Sequence, residues 1–307
     1  GTTVKINPGV TFQFKANTDV MAGGDYSTKS EMIIYGTLIC EGTADSMIIF
    51  KSYFGSNTAG EWGQVLTDLE GEIFIQYTEI KYATNGLNIY KSTPMEIRIE
   101  NCVFQNISSQ GIRITSSDIS KSFVSGNTFT SVVSAIYSTR SKNYCSHNVI
   151  TGGYNGIEVS SSSTLISNTL SSLSGYACKV GANSFVIDND IQTISGAGIY
   201  LNGNTCSVIN NSLINIDGGS STGGVYVPDN SNNIYGNFIN GGSNYGIYFY
   251  SGDYNQIVNN IIINKGGYGI RLNNSDYNEI NYNTIYSNGD DGINISYGYY
   301  TNINNNI

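Results

Sequence analysis

The segment Gly246-Ile247-Tyr248-Phe249 is followed 23 residues later by Gly269-Ile270-Arg271-Leu272, and 23 residues after that by Gly292-Ile293-Asn294-Ile295. In each segment a glycine precedes two apolar residues that flank one variable position. Ten such units at a nearly constant interval indicate a repeat protein. Seven further units of this kind, two of them with Ala in place of Gly, lie upstream at intervals of 21 to 26 residues and begin at Gly86, Gly111, Ala135, Gly156, Ala177, Gly198 and Gly224.

Asparagine keeps the same interval and provides a second, independent marker. In most units it follows an aliphatic residue by three positions and precedes another by two. Both markers together leave little room for a chance pattern. The asparagines that keep this interval are Asn101, Asn127, Asn148, Asn168, Asn189, Asn211, Asn237, Asn260, Asn283 and Asn306.

Each unit contains two or three short stretches of alternating apolar residues, separated by Gly, Asn or Ser, which is the pattern of short strands and turns. About 23 residues cannot form a packed core alone, whereas stacked coils bury a continuous one. The repeat therefore predicts an all-β fold, a parallel β-helix of about ten regular coils, right-handed by the crossover rule. Asparagines repeated at one turn can bond to one another in a ladder, because each amide is both donor and acceptor.

The first 80 residues follow a looser pattern, which predicts wider N-terminal coils and a cap. Strands are expected at 10–14, 32–39 and 47–50, followed by a Gly-Glu-Trp-Gly segment at 60–63. Without a linker or a break in composition, we assign residues 1–307 to a single domain, with regular coils over 81–307. The chain begins at Gly1 rather than Met and ends in mid-coil. We therefore expect a processed protein, with further coils, a further domain or a partner beyond Ile307.

The composition excludes several classes of protein. The chain has 14 basic and 23 acidic residues, a net charge of −9 and only 12% charged residues, so it lacks the basic surface that nucleic-acid binding requires. No stretch reaches the roughly 18 apolar residues of a membrane span, so no membrane insertion is expected. What stands out is 40 asparagines and 24 tyrosines in 307 residues.

The repeat resembles the parallel β-helix proteins of the pectate-lyase-like superfamily, including the NosD-type repeat family. The segment Ile6-Asn7-Pro8-Gly9-Val10-Thr11-Phe12 and the later Gly36-Thr37-Leu38 and Glu41-Gly42-Thr43 resemble the first coils of secreted members. The resemblance covers nearly the whole chain and implies the fold. It leaves the function open, because the group includes lyases, hydrolases, epimerases, phage tailspikes and non-catalytic adhesins.

The catalytic motifs that the resemblance implies are mostly missing. Gly289-Asp290-Asp291-Gly292-Ile293 is similar to the Asp-Asp element of polygalacturonases, but the Gly-His-Gly and Arg-x-Lys elements are absent. Asp188 and Asp190 flank an inward Asn189 and make a thin Ca²⁺ site for a lyase. The Asp-Pro-His-Glu string of alginate epimerases is also absent. We therefore assign no catalytic residue.

Metal and cofactor binding are not expected either. One histidine, His147, and four methionines are too few for a copper role. The five cysteines form no CxxC pair, and Cys145 and Cys178 take positions that are aliphatic in neighbouring units, so we interpret them as small buried hydrophobes.

The tyrosines recur at positions that are expected to face outward. The variable position of the unit should point away from its buried neighbours, and it is Tyr in three consecutive units, which predicts an exposed row flanked by Lys179 and Arg271. A second row recurs in three later units, and Tyr245 and Tyr268 form a shorter third row. The predicted carbohydrate-binding residues are Tyr200, Tyr226, Tyr248, Tyr254, Tyr277 and Tyr300.

Flat rows of aromatic rings with few charges suit polysaccharide binding, because ring faces pack on the C–H surfaces of sugars. For a single row, stabilisation of the coils by cross-strand ring stacking is an equally good explanation. Several rows together favour a non-catalytic adhesin, secreted or on the cell surface, that binds cellulose or another plant cell-wall glycan. Among adhesins the chain resembles the tāpirin type. A secreted polysaccharide lyase or glycoside hydrolase is the alternative, and a phage or structural spike is a third possibility.

Overall fold

The computed structural model describes residues 2–19, 24–53, 55–68, 73–90, 95–115, 119–219 and 222–307. Within these ranges the chain forms strands, turns and bends, and none of them holds a helix long and apolar enough to cross a membrane. Two compact units are present, unit 1 at Gly1–Gly153 and unit 2 at Tyr154–Ile307. The assignment of one domain stays a prediction.

Unit 1 is a parallel β-solenoid with three strand-lined faces. Face 1 contains β1, β4, β7, β10, β12 and β14; face 2 contains β2, β5, β8 and the first halves of β11 and β13; face 3 contains β3, β6, β9 and the second halves of β11 and β13. The strands are β1 (Thr3–Ile6), β2 (Thr11–Lys15), β3 (Met32–Ile34), β4 (Thr37–Glu41), β5 (Ile48–Tyr53), β6 (Val65–Asp68), β7 (Ile73–Gln76), β8 (Thr78–Lys81), β9 (Leu87–Tyr90), β10 (Met95–Glu100), β11 (Val103–Ile114), β12 (Ile119–Ser125), β13 (Thr128–Ser138) and β14 (Asn143–Ser146), followed by β15 (Val149–Val159), which contains the boundary.

Unit 2 repeats the same three faces. The strands are β16 (Thr164–Ile166), β17 (Thr169–Leu173), β18 (Cys178–Gly181), β19 (Phe185–Ile187), β20 (Asp190–Ile194), β21 (Ile199–Asn202), β22 (Ser207–Ile209), β23 (Ser212–Ile216), β24 (Gly223–Val227), β25 (Asn233–Tyr235), β26 (Phe238–Asn240), β27 (Tyr245–Tyr250), β28 (Gln256–Val258), β29 (Ile261–Ile263), β30 (Ile270–Asn273), β31 (Glu279–Asn281), β32 (Thr284–Tyr286), β33 (Ile293–Ser296) and β34 (Asn302–Asn304). Every third strand pairs in parallel, so that β16 begins face 1, β17 begins face 2 and β18 continues face 3.

The apolar side chains of each coil fill the interior of the solenoid. On face 3, Ile199 and Leu201 are fully buried while Tyr200 between them points outward. Because the strands pair in register, each inward residue stacks on its equivalent in the next coil, about 4.8 Å away. Burying one such side chain contributes about 1.5–3 kcal/mol, so coils that cannot fold alone stabilise one another.

The N-terminal coils are wider, as predicted. In register, Thr3 pairs with Thr37 and Leu38 with Ile73, which are 34 and 35 residues apart. The prediction of one strand at 32–39 was wrong, because the chain turns at Tyr35-Gly36 and divides the segment between face 3 and face 1. The Gly-Glu-Trp-Gly segment at 60–63 places Trp62 in the core, stacked on Phe14 at 4.1 Å between ring centroids.

The glycine of the repeat unit allows a close approach between coils. A Cβ on Gly246 would lie 2.5 Å from the carbonyl oxygen of Gly269 and 2.4 Å from Cγ2 of Ile262. Glycine is therefore required where the next coil passes so near, which explains why it opens most units.

The predicted asparagine ladder is present in both units. In unit 2, each asparagine donates its backbone N–H and its side-chain amide to Oδ1 of the next, at 2.9–3.0 Å for Asn189, Asn211, Asn237 and Asn260. In unit 1, Asn127 donates to Asn148 in the same way.

Asn101 is not a member of the ladder, which corrects the prediction. Asn101 is exposed, with a φ of +54°, and the buried Cys102 takes the inward position. The N–H of Cys102 donates to Oδ1 of Asn127 at 2.9 Å, and its thiol lies 3.6 Å from the carbonyl oxygen of Ile75. The sequence motif placed the ladder one residue early at this coil.

A second ladder lies at the turn from face 3 to face 1 and was not predicted. It runs in unit 2 from Cys206 through Asn232 and Asn255 to Asn278, with N–H to Oδ1 distances of 2.7–2.8 Å. Residues that precede ladder positions in both turns have positive φ, among them Asn210, Asn259 and Tyr254. Asparagine adopts this conformation more readily than most residues. It is therefore favoured both at the ladder position and at the residue before it, which explains part of its abundance.

The five cysteines are buried in the core, as expected. Burial raises the pKa of Cys40, Cys102 and Cys145 to about 12. Cys102 and Cys206 replace asparagine in the two ladders.

Candidate functional site

Tyr254, Tyr277 and Tyr300 form a stack at the turn from face 3 to face 1 of unit 2. Neighbouring ring centroids lie 5.0 Å apart, and the ring planes are nearly parallel, with interplanar angles of 3° and 11°. The side chains are 58%, 45% and 74% exposed. One ring per coil is thus presented to solvent along the direction in which the coils stack. We call these three residues the turn stack.

The second ladder fixes the turn stack. Asn255 and Asn278 directly follow the first two tyrosines, and the amide of Asn255 donates to Oδ1 of Asn278 at 3.1 Å. The tyrosines themselves have φ values of +56°, +54° and +55°. That conformation costs a residue with a side chain about 1–2 kcal/mol, and each stacked pair returns about 0.5–1.5 kcal/mol. Tyrosine is therefore not the residue that backbone stability alone would select here.

The turn stack offers ring edges and hydroxyl groups to solvent, which differs from the flat platform that the sequence suggested. Both faces of Tyr277 are covered, one by Tyr254 and the other by Tyr300. The stack therefore presents one phenol hydroxyl and one ring edge to solvent in each coil. Packing on ring faces is restricted to the two ends of the stack.

The predicted row on face 3 is also in register. Tyr200 pairs with Tyr226, and Tyr226 with Tyr248, with ring centroids 5.0 and 5.6 Å apart and interplanar angles of 68° and 39°. The predicted flanking cations are present, with Nζ of Lys179 at 5.4 Å from the ring centre of Tyr200 and the guanidinium of Arg271 at 5.5 Å from that of Tyr248. Burial raises the pKa of the Tyr226 hydroxyl, and neighbouring Tyr200 and Tyr248 raise it further.

Tyr248 is not exposed, which corrects the prediction for this row. Only 7% of it is accessible, whereas Tyr200 and Tyr226 are half-buried. Tyr245 at 5.1 Å and Tyr250 at 6.3 Å between ring centroids cover it together with Arg271. Tyr248 therefore supports this row from within rather than offering its ring to a ligand.

An aromatic cluster surrounds Arg271. Its guanidinium carbon lies 4.9 Å from the ring centre of Tyr245 and 5.6 Å from that of Tyr268, and it donates a hydrogen bond to the hydroxyl of Tyr245. The predicted stacking of Tyr245 on Tyr268 is confirmed at 5.8 Å and 19°. Tyr250 was not among the predicted residues; it lies two residues after Tyr248 on the same side of β27 and is half exposed. Alternation along the strand was the signal that could have identified it.

The carboxylates of the enzymatic alternative are not brought together. Asp188 and Asp190 lie at the turn from face 1 to face 2, where Asp190 accepts hydrogen bonds from the amide of Gln192 at 2.9 and 3.0 Å. Asp290 and Asp291 lie at the turn from face 2 to face 3, four coils further along unit 2. In the described part of the chain, no three His, Cys, Asp or Glu side chains are grouped to hold a metal ion.

Known proteins place the fold in a wider context. Residues 181–307 match the family model described as a right-handed β-helix region. The fold is a right-handed parallel β-helix. The β-helix of this chain is similar to that of a double mutant of the periplasmic alginate epimerase AlgG, with a TM-score of 0.68 and 12% identity over 90% of this chain and 77% of that one.

A second similar structure is the A-module of the mannuronan C-5 epimerase AlgE6 of Azotobacter vinelandii. Its TM-score is 0.63, with 13% identity over 99% of this chain and 91% of that one. Likeness at such low identity shows the shared β-helix alone. No curated protein sequence matches the chain.

Proposed function

We propose that this protein is a non-catalytic adhesin that binds a neutral polysaccharide through the tyrosines of unit 2. The observation that carries the proposal is the turn stack, in which three exposed rings in register occupy left-handed backbone positions that suit asparagine better. The turn has the same left-handed backbone in earlier coils, at Thr205 and Ser231. The presence of Tyr at this position in three consecutive coils, rather than the backbone conformation itself, therefore points to a function of the side chains.

The geometry suits an extended polymer that lies along the stacking direction of the coils. The hydroxyl groups of Tyr254, Tyr277 and Tyr300 repeat once per coil, and a polymer with a short repeat can meet each of them in turn. Contiguous exposed apolar patches on a protein surface often mark interaction sites. Tyr200 and Tyr226 on face 3 provide a second contact area on earlier coils of the same unit.

The charges beside the turn stack favour a neutral polymer over an acidic one. Asp253 and Asp276 each precede a stack tyrosine and are half-buried. One oxygen of each carboxylate accepts a backbone N–H of the next coil at 2.7 Å, from Asp276 and from Tyr299. Carboxylates accept hydrogen bonds from sugar hydroxyls but repel uronate groups. We therefore propose cellulose or another neutral plant cell-wall glycan as the ligand, in line with a tāpirin-like role.

Such a ligand places the protein outside the cell, either secreted or displayed on the cell surface. The two epimerases share the β-helix, and their names give a polysaccharide as the molecule on which they act, which agrees with a polysaccharide partner. The separation of Asp188 and Asp190 from Asp290 and Asp291 favours binding over the lyase or hydrolase alternative.

Retention on insoluble polysaccharide tests the proposal. The stack variant replaces Tyr254, Tyr277 and Tyr300 by Asn, which suits the left-handed backbone and removes only the rings. A matched control replaces three other exposed tyrosines of unit 2, Tyr235, Tyr282 and Tyr286, by Asn. Wild type and control should be depleted from solution by cellulose or another neutral glucan, and the stack variant should bind at least about tenfold more weakly, a loss of about 1.4 kcal/mol.

Equal retention of the stack variant and wild type would overturn the assignment of the site. Stronger retention on alginate or pectin than on every neutral glucan would overturn the ligand class. New reducing ends, or new unsaturated ends that absorb in the ultraviolet, would overturn the non-catalytic role and support the enzymatic alternative. A trimeric mass without polysaccharide retention would support the spike.

A further inference from the structure

A polar cavity of about 290 Å³ lies on the outer side of face 3 in unit 1. Its floor is formed by three consecutive coils, since Leu66 pairs in register with Asn88 and Asn88 with Arg113. Asp25 and Tyr90 complete the lining. This volume is near the lower end of the range for ligand pockets and suits a ligand of one small ring.

A buried hydrogen-bond network holds the lining in place. Gln64 is fully buried, and its carbonyl oxygen accepts the amide of Asn88 at 3.0 Å. The amide nitrogen of Gln64 donates to Asp25 at 2.8 Å and to Glu31 at 2.9 Å. These contacts fix which end of the Asn88 amide is the oxygen, because the nitrogen is committed to Gln64. The network therefore holds the Asn88 amide in one orientation.

Asn88 carries a hydrogen-bond acceptor that the protein does not satisfy. Its side chain lines the cavity and is 2% exposed, and its Oδ1 has no hydrogen-bond partner. Buried polar atoms are nearly always paired in folded proteins. Less than 1 Å² of Oδ1 is accessible, so a ligand donor that enters from the cavity must displace the groups that cover Oδ1 in order to pair with it.

The other groups in the lining restrict the class of ligand. Arg113 offers donors and Asp25 offers acceptors, so an anionic ligand would meet the carboxylate and a cationic ligand the guanidinium. A neutral polyhydroxyl ligand can use both, with hydroxyl groups that donate to Asn88 and Asp25 and accept from Arg113. Tyr90, which is 60% exposed, and Leu66 provide apolar surface for the C–H face of a sugar ring.

We infer that this cavity binds a single neutral sugar residue, either free or at the end of a chain. The site belongs to unit 1 and shares no residue with the tyrosine surfaces of unit 2. This inference does not depend on the proposed adhesin function, because a soluble monosaccharide can occupy the cavity without any polysaccharide.

Saturation-transfer NMR with soluble monosaccharides tests the site. The probes are glucose, galactose, mannose and xylose, with glucuronate as the acidic comparison. The variant Asn88→Leu removes the unpaired acceptor, and Tyr90→Ala removes the exposed ring. Tyr35→Ala is the matched control, since Tyr35 is also in unit 1, is 64% exposed and does not line the cavity.

We expect wild type, the Tyr35→Ala control and the stack variant of unit 2 to show transfer to at least one neutral sugar. Both cavity variants should weaken that binding by at least about tenfold. Because Tyr90 is exposed, its replacement keeps the test decisive if Asn88→Leu does not fold. Absence of transfer to every neutral sugar, equal transfer in Tyr90→Ala and wild type, or preferential binding of glucuronate would overturn the inference.

Discussion

Replacing Asn237 by Leu tests the ladder in the middle of unit 2. The Asn237 side chain is 1% exposed and donates its amide to the carbonyl oxygen of Val208 at 2.9 Å and to Oδ1 of Asn260 at 2.9 Å. Its own Oδ1 accepts from the backbone N–H of Asn211 at 2.9 Å and from the amide of Asn211 at 3.0 Å. Leucine can make none of these bonds.

The expected cost follows from the groups that lose their partners. In Asn237→Leu the N–H of Asn211 and the carbonyl oxygen of Val208 stay buried without these bonds, and each such group costs about 1–3 kcal/mol. The branched leucine must also fit a space shaped for a planar amide, so little apolar gain offsets the loss. We expect the free energy of unfolding to fall by about 3–5 kcal/mol.

Chemical denaturation measures this loss, and hydrogen exchange locates it. The control is Asn202→Leu, at an exposed position that ends β21, where a change within about 0.5 kcal/mol is expected. Exchange of the Asn211 amide should accelerate in Asn237→Leu and stay unchanged in the control. Equal stability of the two variants would refute the view that the ladder amides stabilise the β-helix.

Three further predictions concern stability and reactivity. Burial lowers the pKa of the Lys265 ammonium to about 8, although Asp217 raises it, and the ammonium donates to the carbonyl oxygen of Ile216 at 2.7 Å. Because the unfolded chain keeps this proton up to about pH 10.5, the free energy of unfolding should rise by up to about 3 kcal/mol from pH 8 to 10.5 relative to Lys265→Met. Parallel pH profiles of the two proteins would contradict this prediction. The thiols of Cys40, Cys102 and Cys145 should resist a thiol reagent until the protein unfolds, because burial raises their pKa to about 12; rapid labelling of the native protein would show that they are accessible. Tyr277→Asn removes two stacked pairs but relieves a strained backbone, so denaturation should show a loss of only about 1 kcal/mol, and a loss above about 3 kcal/mol would mean that the turn stack is mainly structural.

The fold could be predicted because the signals that specify it repeat. Glycine before Ile247 and Ile270 and asparagine at Asn237 and Asn260 meet the same physical demand in every coil, namely a close approach between coils and a paired amide. Cys102 occupies the same ladder position, but cysteine is not part of the sequence motif. The motif therefore selected Asn101, one residue before the position that the ladder uses.

The candidate site was predictable only in part. Register follows from the repeat, so the alignment of Tyr200 with Tyr226 and of Tyr254 with Tyr277 was within reach of the sequence. The burial of Tyr248 depends on how Tyr245 and Arg271 fold over it, which spacing does not encode. The cavity of unit 1 depends on Asp25, which comes from an irregular loop of a wide coil without a repeated equivalent.

Hydroxyl-radical footprinting of the protein bound to insoluble cellulose, read by mass spectrometry, tests the central claim most directly. Bound polysaccharide should protect Tyr254, Tyr277 and Tyr300 from oxidation, while Tyr35 and Tyr286 should react as they do in the free protein. Unchanged oxidation of the turn stack in protein that is retained on the polysaccharide would contradict it.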